Sequence, residues 1–397
     1  MSNLEVFQGI GFDESIIREE LHTYLPYGSS QYQKSDEIRI AIQCQDLITA
    51  TYASHIYIEG KLSKEDVSKG AHITNNAFAF LFKEIRFEIN GVVVDFCKEP
   101  GITSSILGLL LYNSAECRGL SVAGWSGIGV YNEINDDGTF CVLIPLEFLL
   151  GFARDYKKVL MNVRQELILI RSGRDENCYV SVDTEASIDI SRIEWRVPHV
   201  TVNDAIRLEL LKQVNQDALI TMAFRRWEIY ELPALKPTKL DVWQVRSSSN
   251  LEKPRYVVLG FQRNRKNNKL QIASNFDHLN ITNIKLYLNS ESYPYQQWNL
   301  DFDKNKYATA YINYINFQNS YLGRSAEPLM SYDEFKNNPL FILDCSKQNE
   351  AIKTSVVDVK IEMEGMRNFP QDAVVYALII HDTIVEYRPL GGEVRKL

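Results

Sequence analysis

Histidine and cysteine are scarce in this sequence, and their spacing excludes the common local metal-binding motifs. Six residues of each type occur among 397. No two cysteines lie within four residues of each other, and no two histidines have the spacing that places two ligands on one face of an element. We therefore expect no metal site, no cofactor and no disulfide framework, and we expect reduced, buried thiols.

Long apolar runs and an excess of positive charge are also missing. No stretch of about 18 apolar residues occurs, which argues against membrane insertion, and the first 15 residues lack the features of a secretory signal. The net charge of −8 argues against direct, sequence-specific binding of nucleic acid. One dense basic run, Arg263–Lys269, is typical of a solvated hairpin tip rather than of a nuclear-localisation or phosphate-binding patch.

Catalytic motifs are incomplete. The segment Ala123–Gly129 (AGWSGIG) resembles a hydrolase nucleophile elbow, but Ile128 stands where the second glycine is required. His381 and Asp382 are neighbours in an extended run, so their side chains face opposite ways and are poorly placed to share a metal ion. We interpret the first as a flexible glycine-rich loop and the second as a strand-end pair, and we expect no enzyme activity.

Strand patterns dominate what is present. Apolar and polar residues alternate in Glu37–Gln43, in His55–Leu62 and in the segment EIRFEING from Glu84, which predicts antiparallel strands with one buried face. Asn90–Gly91 predicts a two-residue hairpin turn. Further strands are predicted at Phe140–Ile144, Val159–Arg171, Cys178–Asp183, Ser187–Val197, Leu219–Tyr230, Thr238–Arg246, Arg255–Gln262, Ile281–Asn289, Leu340–Cys345, Ser355–Met363, Ala373–His381 and Thr383–Tyr387.

Helices are fewer, and one of them has a clear start signal. Thr201 and Asp204 form a cap signature before an apolar stripe of Ile206, Leu210 and Leu211. The predicted helices are Ile102–Tyr112, Leu146–Asp155, Thr201–Val214, Tyr307–Tyr321 and Ser331–Lys336.

The chain repeats one order of features about 200 residues apart. Ser29–Gln43 matches Ser247–Gln262, and IRFEIN matches IKLYLN; a helix follows in each half, and then FCVLI matches LFILDC and VRQELILI matches VDVKIEME. Two copies of one antiparallel unit explain this shared order. A unit of about eight strands with inserted helices fits a jelly roll better than a propeller or an immunoglobulin sandwich.

Long segments of the chain resemble a known family. They include LPYGSSQYQKSDEIRIAIQ, FLFKEIRFEINGVVVD, PGITSS, LLGFARDYKKVLMNVRQELILIRS, EKPRYVVLGFQ, LYLNSESYPY and FILDCSKQNEAIKTSVVDVKIE, and the similarity runs from about Leu4 to Tyr387. The family comprises double jelly-roll proteins of polinton- or adintovirus-like elements and arthropod genomes. Its members are similar to the major capsid proteins of large double-stranded DNA viruses.

The resemblance implies both a fold and a function. The fold is all-β, with two tandem eight-stranded jelly rolls and a few short inserted helices. The function is that of a major capsid protein, whose homotrimers of six jelly rolls tile an icosahedral virion shell. Penton and minor capsid proteins are the further partners that it implies.

A domain division and a set of interface residues follow from this reading. We expect an N-terminal arm at 1–20 that docks on a neighbouring subunit or on the inner side of the shell, a first jelly roll at 21–200, a bridging helix at 201–216 and a second jelly roll at 217–397. A trimer needs large, partly apolar contacts. The candidates are Tyr293, Tyr295, Trp298, Tyr311, Tyr314, Phe317 and Tyr321. The alternative is that these rings pack over their own sheet edge.

Two other functions are open from the sequence. A non-viral double β-sandwich that binds carbohydrate or protein would use aromatic residues near loop tips, such as Trp125 and Trp298, as its platform. A jelly-roll enzyme would contain stoichiometric bound iron or zinc.

Overall fold

The alternating side chains of the sequence form strands in the computed structural model, which describes residues 15–28, 31–43, 48–66, 70–128, 137–245, 254–289, 291–347 and 357–397. In the strand Glu37–Ile42, for example, Ile38, Ile40 and Ile42 are buried and the residues between them are more exposed. Burial of one face of each strand supplies the core that two stacked sheets require.

The strands fall into two groups along the chain. The first group is β1 (Ile16–Tyr24), β2 (Glu37–Ile42), β3 (Ile48–Thr49), β4 (His55–Lys64), β5 (His72–Ile73), β6 (Phe82–Ile89), β7 (Val92–Lys98), β8 (Thr139–Pro145), β9 (Leu160–Met161), β10 (Gln165–Arg171), β11 (Tyr179–Val180) and β12 (Ala186–Val202). The second is β13 (Ile220–Leu232), β14 (Leu240–Val245), β15 (Pro254–Arg263), β16 (Ile281–Leu288), β17 (Glu291–Tyr293), β18 (Phe341–Asp344), β19 (Val359–Gly365), β20 (Ala373–Tyr387) and β21 (Val394–Lys396).

The helices are short and lie between strands. They are α1 (Ala77–Phe80), α2 (Pro100–Leu111), α3 (Ser114–Leu120), α4 (Leu146–Leu149), α5 (Gly151–Asp155), α6 (Asp204–Asn215), α7 (Ala308–Leu322) and α8 (Tyr332–Asn337). Each of the five predicted helices corresponds to one or two of these. Helix α8 begins with a capping box of Ser331 and Glu334.

Both domains have the same strand topology. In the first, β1, β12, β4 and β8 are neighbours in one sheet, and β2, β10, β6 and β7 are neighbours in the other. In the second, the corresponding orders are β13, β20, β15, β18 and β14, β19, β16, β17. If the eight principal strands of each domain are numbered along the chain, both domains read 1-8-3-6 and 2-7-4-5, which is a jelly roll. The all-β, double jelly-roll prediction is confirmed.

The repeat predicted from sequence is confirmed in four of its five matches. The segments IRFEIN and IKLYLN form the fourth principal strands, β6 and β16, and α2 and α7 both lie between the fifth and sixth. The segments FCVLI and LFILDC overlap β8 and β18, the sixth principal strands. The segments VRQELILI and VDVKIEME overlap β10 and β19, the seventh principal strands. The match of Ser29–Gln43 with Ser247–Gln262 is wrong, because the first contains the second strand of its domain and the other contains the third. A serine-rich turn before a strand is too common to fix such a register.

The predicted borders of the first domain also need correction. Most of the predicted arm, residues 1–14, lies outside the described residues, but Ile16–Glu20 already belong to β1, which pairs with β12. The bridging helix starts later than predicted, because Thr201 still belongs to β12 and the side chain of Asn203 caps the helix by accepting from the backbone N–H of Ile206.

Strand β20 is longer than predicted. It runs without interruption from Ala373 to Tyr387 and pairs with β13 from Val375 to Tyr387. His381 and Asp382 therefore lie in the middle of a strand rather than at a strand end. Their side chains still face opposite ways: His381 is buried and Asp382 is exposed.

One hydrophobic cluster extends through both domains. At the boundary, α5 approaches β13 so closely that an added Cβ at Gly151 would lie 2.0 Å from the carbonyl oxygen of Arg225. Glycine is therefore required at this position, since the backbone of Arg225 cannot move without moving its strand.

We expect Gly151→Ala to destabilise the protein by about 3 kcal/mol, because overpacking of a rigid contact is costly. The midpoint of urea or thermal unfolding measures the effect. Gly119→Ala is the matched control, since an added Cβ in this part of α3 meets nothing within 4 Å, and it should leave stability unchanged or slightly raised. Equal stability of the two variants would contradict the close approach.

Candidate assembly surface

The structure separates the seven predicted interface residues into buried and exposed sets. Tyr295 is 93% exposed, and Tyr293 and Tyr311 are partly buried. The buried residues are Trp298, Tyr314, Phe317 and Tyr321, each at most 7% exposed. Because these four rings pack inside their own chain, the alternative reading from the sequence applies to them, and their assignment to a subunit interface is not supported.

Helical spacing explains why the second aromatic stretch is buried. Tyr314, Phe317 and Tyr321 lie three or four residues apart in α7 and so share its inward face. The ring of Phe317 meets that of Tyr256 edge to face at 4.9 Å between centroids. The hydroxyl of Tyr314 donates to the carbonyl oxygen of Leu109 in α2 at 2.9 Å. Helix α7 therefore joins the second domain to the first.

A charged contact lies next to this helix. The guanidinium of Arg225 in β13 donates from Nε and Nη2 to the carboxylate of Asp155, with both distances 2.7 Å, and the backbone N–H of Arg225 donates to the same carboxylate at 2.9 Å. The guanidinium carbon lies 3.5 Å from the ring centre of Tyr321. Burial raises the pKa of Tyr321 to about 12, so its hydroxyl stays neutral. Such bidentate, partly buried pairs have a defined geometry.

A second group of charges lies deeper in the domain boundary. Arg226 lies 3.5 Å from the carboxylate of Asp95 in β7 and 3.9 Å from that of Glu228, and His381 lies 3.4 Å from Glu228. Burial raises the pKa of Asp95. The positive charge of Arg226 lowers this pKa but offsets only part of the rise. Burial also opposes the ionisation of Glu228, but hydrogen bonds from His381 and Tyr230 and the charge of Arg226 lower its pKa to about 2. These groups stabilise the boundary as long as Glu228 is ionised.

The basic run Arg263–Lys269 has no buried residue, so the predicted solvation is correct, but it is not a hairpin tip, because β15 and the next strand, β16, belong to different sheets. Part of the run also contacts the first domain. Lys269 forms an ion pair with Glu185 of the first domain. The backbone N–H of Asn267 donates to the side-chain oxygen of Asn177 at 2.7 Å, and the backbone N–H of Ser181 donates to the carbonyl oxygen of Lys269 at 2.9 Å. The run docks the second domain on the first, because acidic and polar groups of the chain itself meet its charges.

Tyr295 and its surroundings are the part of the predicted interface that stays accessible. A cleft of about 180 Å³ is lined by Tyr293, Trp298, Phe317 and Leu343 among others, and Tyr295 follows two residues after Tyr293 in the chain. Strand β18 borders the cleft and, within the described residues, pairs on one side only, with β15. We call Tyr293, Tyr295 and this cleft the tyrosine surface. Exposed aromatic rings and unpaired strand edges are both typical of contacts with another chain.

The tryptophans that the sequence suggested as a binding platform are buried inside the protein. Trp125 is fully buried, with its ring against Gly108 of α2, where an added Cβ would lie 2.4 Å away. Trp125 and Trp298 therefore do not form an exposed platform for a carbohydrate. Among the described residues, no group of three or more histidine, cysteine or acidic side chains could hold a metal ion.

The cysteines agree in part with the expectation of buried thiols. Cys97, Cys117, Cys178 and Cys345 are buried, and burial raises the pKa of each thiol, whereas Cys141 is exposed. Cys44 lies outside the described residues. In the part of the chain that is described, no helix has the length and apolar character to span a membrane.

Residues 71–385 match the family model described as a double jelly roll-like domain. No curated protein sequence matches. Among solved structures, the chain is similar to a chain of the Sputnik virophage structure, with 10% identity, a TM-score of 0.67 and coverage of 100% of this chain and 91% of that one.

Two further structures show the same likeness. A chain of the PBCV-1 virus capsid has 12% identity, a TM-score of 0.60 and coverage of 98% of both chains. The mavirus major capsid protein has 11% identity, a TM-score of 0.59 and coverage of 100% of this chain and 92% of that one. At these identities the similarity is one of fold, and it extends over both domains.

We expect Tyr314→Phe to lower the free energy of unfolding by about 2 kcal/mol, because it leaves the buried carbonyl of Leu109 without its donor. It also removes the acceptor of the backbone N–H of Met330. Tyr295→Phe is the control, and it should leave stability unchanged because that ring is exposed. Chemical denaturation measures both variants, and an equal loss in the two would contradict the assigned roles.

We expect Glu228→Gln to lower the free energy of unfolding by roughly 3 kcal/mol at pH 7. Since the pKa of Glu228 falls from 4.5 to about 2 on folding, this stabilisation is complete above about pH 4.5 and is lost as the pH falls towards 2. The difference between wild type and variant should therefore shrink over that range in urea titrations. Glu364→Gln, which changes an exposed residue of β19, should show no such trend.

Proposed function

Because the chain belongs to the double jelly roll-like domain family, we propose that it is the major capsid protein of a virus or viral element. In this proposal three copies form a homotrimer that contributes six jelly rolls, and trimers tile an icosahedral shell. The protein then resides in the virion, and penton and minor capsid proteins are its further partners. A polinton-like element is the source that the sequence resemblance favours.

The observation that carries the proposal is the duplication itself. Two jelly rolls with the same strand order lie side by side in one chain, and a continuous core and buried or partly buried ion pairs hold them together. A threefold assembly of such chains presents six similar sandwiches to its neighbours. It therefore fills a position of near-sixfold symmetry in a closed lattice with one kind of chain.

The full-length likeness to capsid structures supports the same function. The PBCV-1 capsid chain and the mavirus major capsid protein are each covered by more than nine-tenths, and both jelly rolls take part in the match. A module that binds a small ligand or a glycan has no need for two sandwiches fixed by an extensive internal boundary.

The tyrosine surface is our proposed contact between the chains of a trimer. It combines an exposed aromatic ring, a cleft lined by both aromatic and polar side chains, and a strand edge that is unpaired within the described residues. A permanent trimer interface buries roughly 2,000 Å² or more, so this surface supplies a part of it. Residues 1–14, which lie outside the described residues, are proposed to contact a neighbouring subunit or the inner side of the shell.

The purified full-length protein tests the proposal. Light scattering should give three times the chain mass of 45.7 kDa, and electron microscopy should show pseudo-hexagonal particles that form sheets or shells. Tyr295→Ala should weaken the trimer, whereas Val182→Ala, at an exposed site of the first domain, should not. A protein that stays monomeric at high concentration, or that contains stoichiometric iron or zinc, would overturn the assignment.

A further inference from the structure

Strand β1 is held on the first jelly roll by few side-chain contacts. None of its nine residues is buried; seven are exposed, and Glu20 and Tyr24 are partly buried. Within the described residues it pairs on one side only, with β12. Of its side chains, Tyr24 alone packs against the hydrophobic cluster. The attachment of β1 therefore depends on its ladder hydrogen bonds and on a small number of polar contacts.

Two histidine rings stack where β1 meets β12. The register places Glu20 opposite His199, and His22 lies two residues further along the same face of β1. The ring centres of His22 and His199 are 4.0 Å apart, with 24° between the ring planes. The ring centre of Tyr24 lies 5.8 Å from that of His199. We call His22 and His199 the histidine pair; it joins an exposed strand to the sheet beside it.

The two rings differ in their exposure to water. The side chain of His22 is 49% exposed, whereas His199 is 8% exposed. Burial lowers the pKa of His199 below its ordinary value, the charge of His22 lowers this pKa further, and Glu20 raises it in part. Thr49 of β3, which pairs with His199 on the other side of β12, carries no charge. His199 is therefore neutral in the native protein near pH 7.

Acid places two positive charges in this stack. An ordinary histidine side chain becomes charged below about pH 6.5. When both rings are charged, the two cations face each other at close range, and one of them is shielded from water. Glu20, 3.9 Å from Nε2 of His22, offsets these charges only in part, because it also forms an ion pair with Arg18. Movement of β1 away from β12 separates the two charges and returns His199 to water.

The hydrogen bond of His199 does not explain a dependence on pH. The hydroxyl of Tyr24 and Nε2 of His199 lie 2.9 Å apart. A hydroxyl donates to the neutral ring and accepts from the charged ring, so this bond exists in both states. The dependence on pH comes from burial and from the facing charge.

We propose that the histidine pair is a pH switch, which holds β1 on the first jelly roll at neutral pH and releases the strand in acid. A histidine that the fold keeps neutral contributes fully to stability above its ordinary pKa of about 6.5, and this contribution is lost as the pH falls below that value. Release is confined to the strand, because the core of the first jelly roll is formed by other elements.

The switch is a property of one chain, but it has a consequence for assembly. Residues 1–14 precede β1, and their contact with a neighbouring subunit or with the inner side of the shell is part of the proposed function. Release of β1 then weakens that contact in acid. This consequence alone rests on the proposed function; the switch itself does not.

Amide hydrogen exchange of the full-length protein tests the switch. Protection factors are measured at about pH 7.5 and about pH 5 and corrected for the intrinsic effect of pH. For the amides of β1 that pair with β12, they should fall by about tenfold in acid, which is the effect of one unit by which the fold lowers the pKa of His199. The protection factors of β10, a central strand of the other sheet, should stay unchanged.

Substitutions separate the histidine pair from other effects of acid. His199→Gln stays neutral at every pH, so the protection of β1 should no longer depend on pH. His22→Gln, at an exposed site, should reduce the loss in acid because it removes the facing charge. His278→Gln is the matched control: burial lowers the pKa of this histidine too, but it stacks on Phe302 in the second domain, and the variant should behave as the wild type does.

Protection of β1 that is the same at both pH values in the wild type would overturn the proposal. So would an equal loss in the wild type and in His199→Gln, because it would assign the release to carboxylates such as Glu20. If His199→Gln does not fold, His22→Gln decides, since a loss equal to that of the wild type contradicts the switch. If the protein forms no trimers, the proposed function fails, yet the exchange of β1 still reports on the histidine pair.

Discussion

The contact between α5 and strand β13 is the constraint on which the arrangement of the two jelly rolls depends. Gly151 allows the two backbones to approach to a distance that any side chain would prevent. Asp155 then receives three hydrogen bonds from Arg225. A backbone contact of this kind cannot slide, because its hydrogen bonds and its steric fit have to be satisfied together.

This constraint has a consequence for assembly. Helix α7, the charged group around Arg226 and the docked basic run all reinforce the same domain boundary. A protein that contacts several copies of itself needs its surfaces in fixed positions. A flexible protein would lose conformational entropy at each contact, which weakens the association.

Much of the fold could be predicted from the sequence, and the candidate site could be predicted much less well. Strand alternation and cap residues gave the elements, and their order revealed the duplication. The site prediction identified aromatic residues without the direction of their rings: Tyr295 is exposed, but Tyr314 and Phe317 face inward. The contact of the basic run with the first domain was missed for the same reason, because Glu185, the partner of Lys269, is 84 residues away in sequence. Pairs of this kind leave no local pattern.

The sequence by itself determined the strands, the helices and the repeated order of the two halves, because these follow from side-chain periodicity and turn chemistry over a few residues. Tertiary structure alone decided which aromatic rings are buried inside the chain and which face the solvent. It also decided that α6 presents Leu208 to solvent. Exposure depends on what packs above a residue, and the chain brings that neighbour from a distant segment.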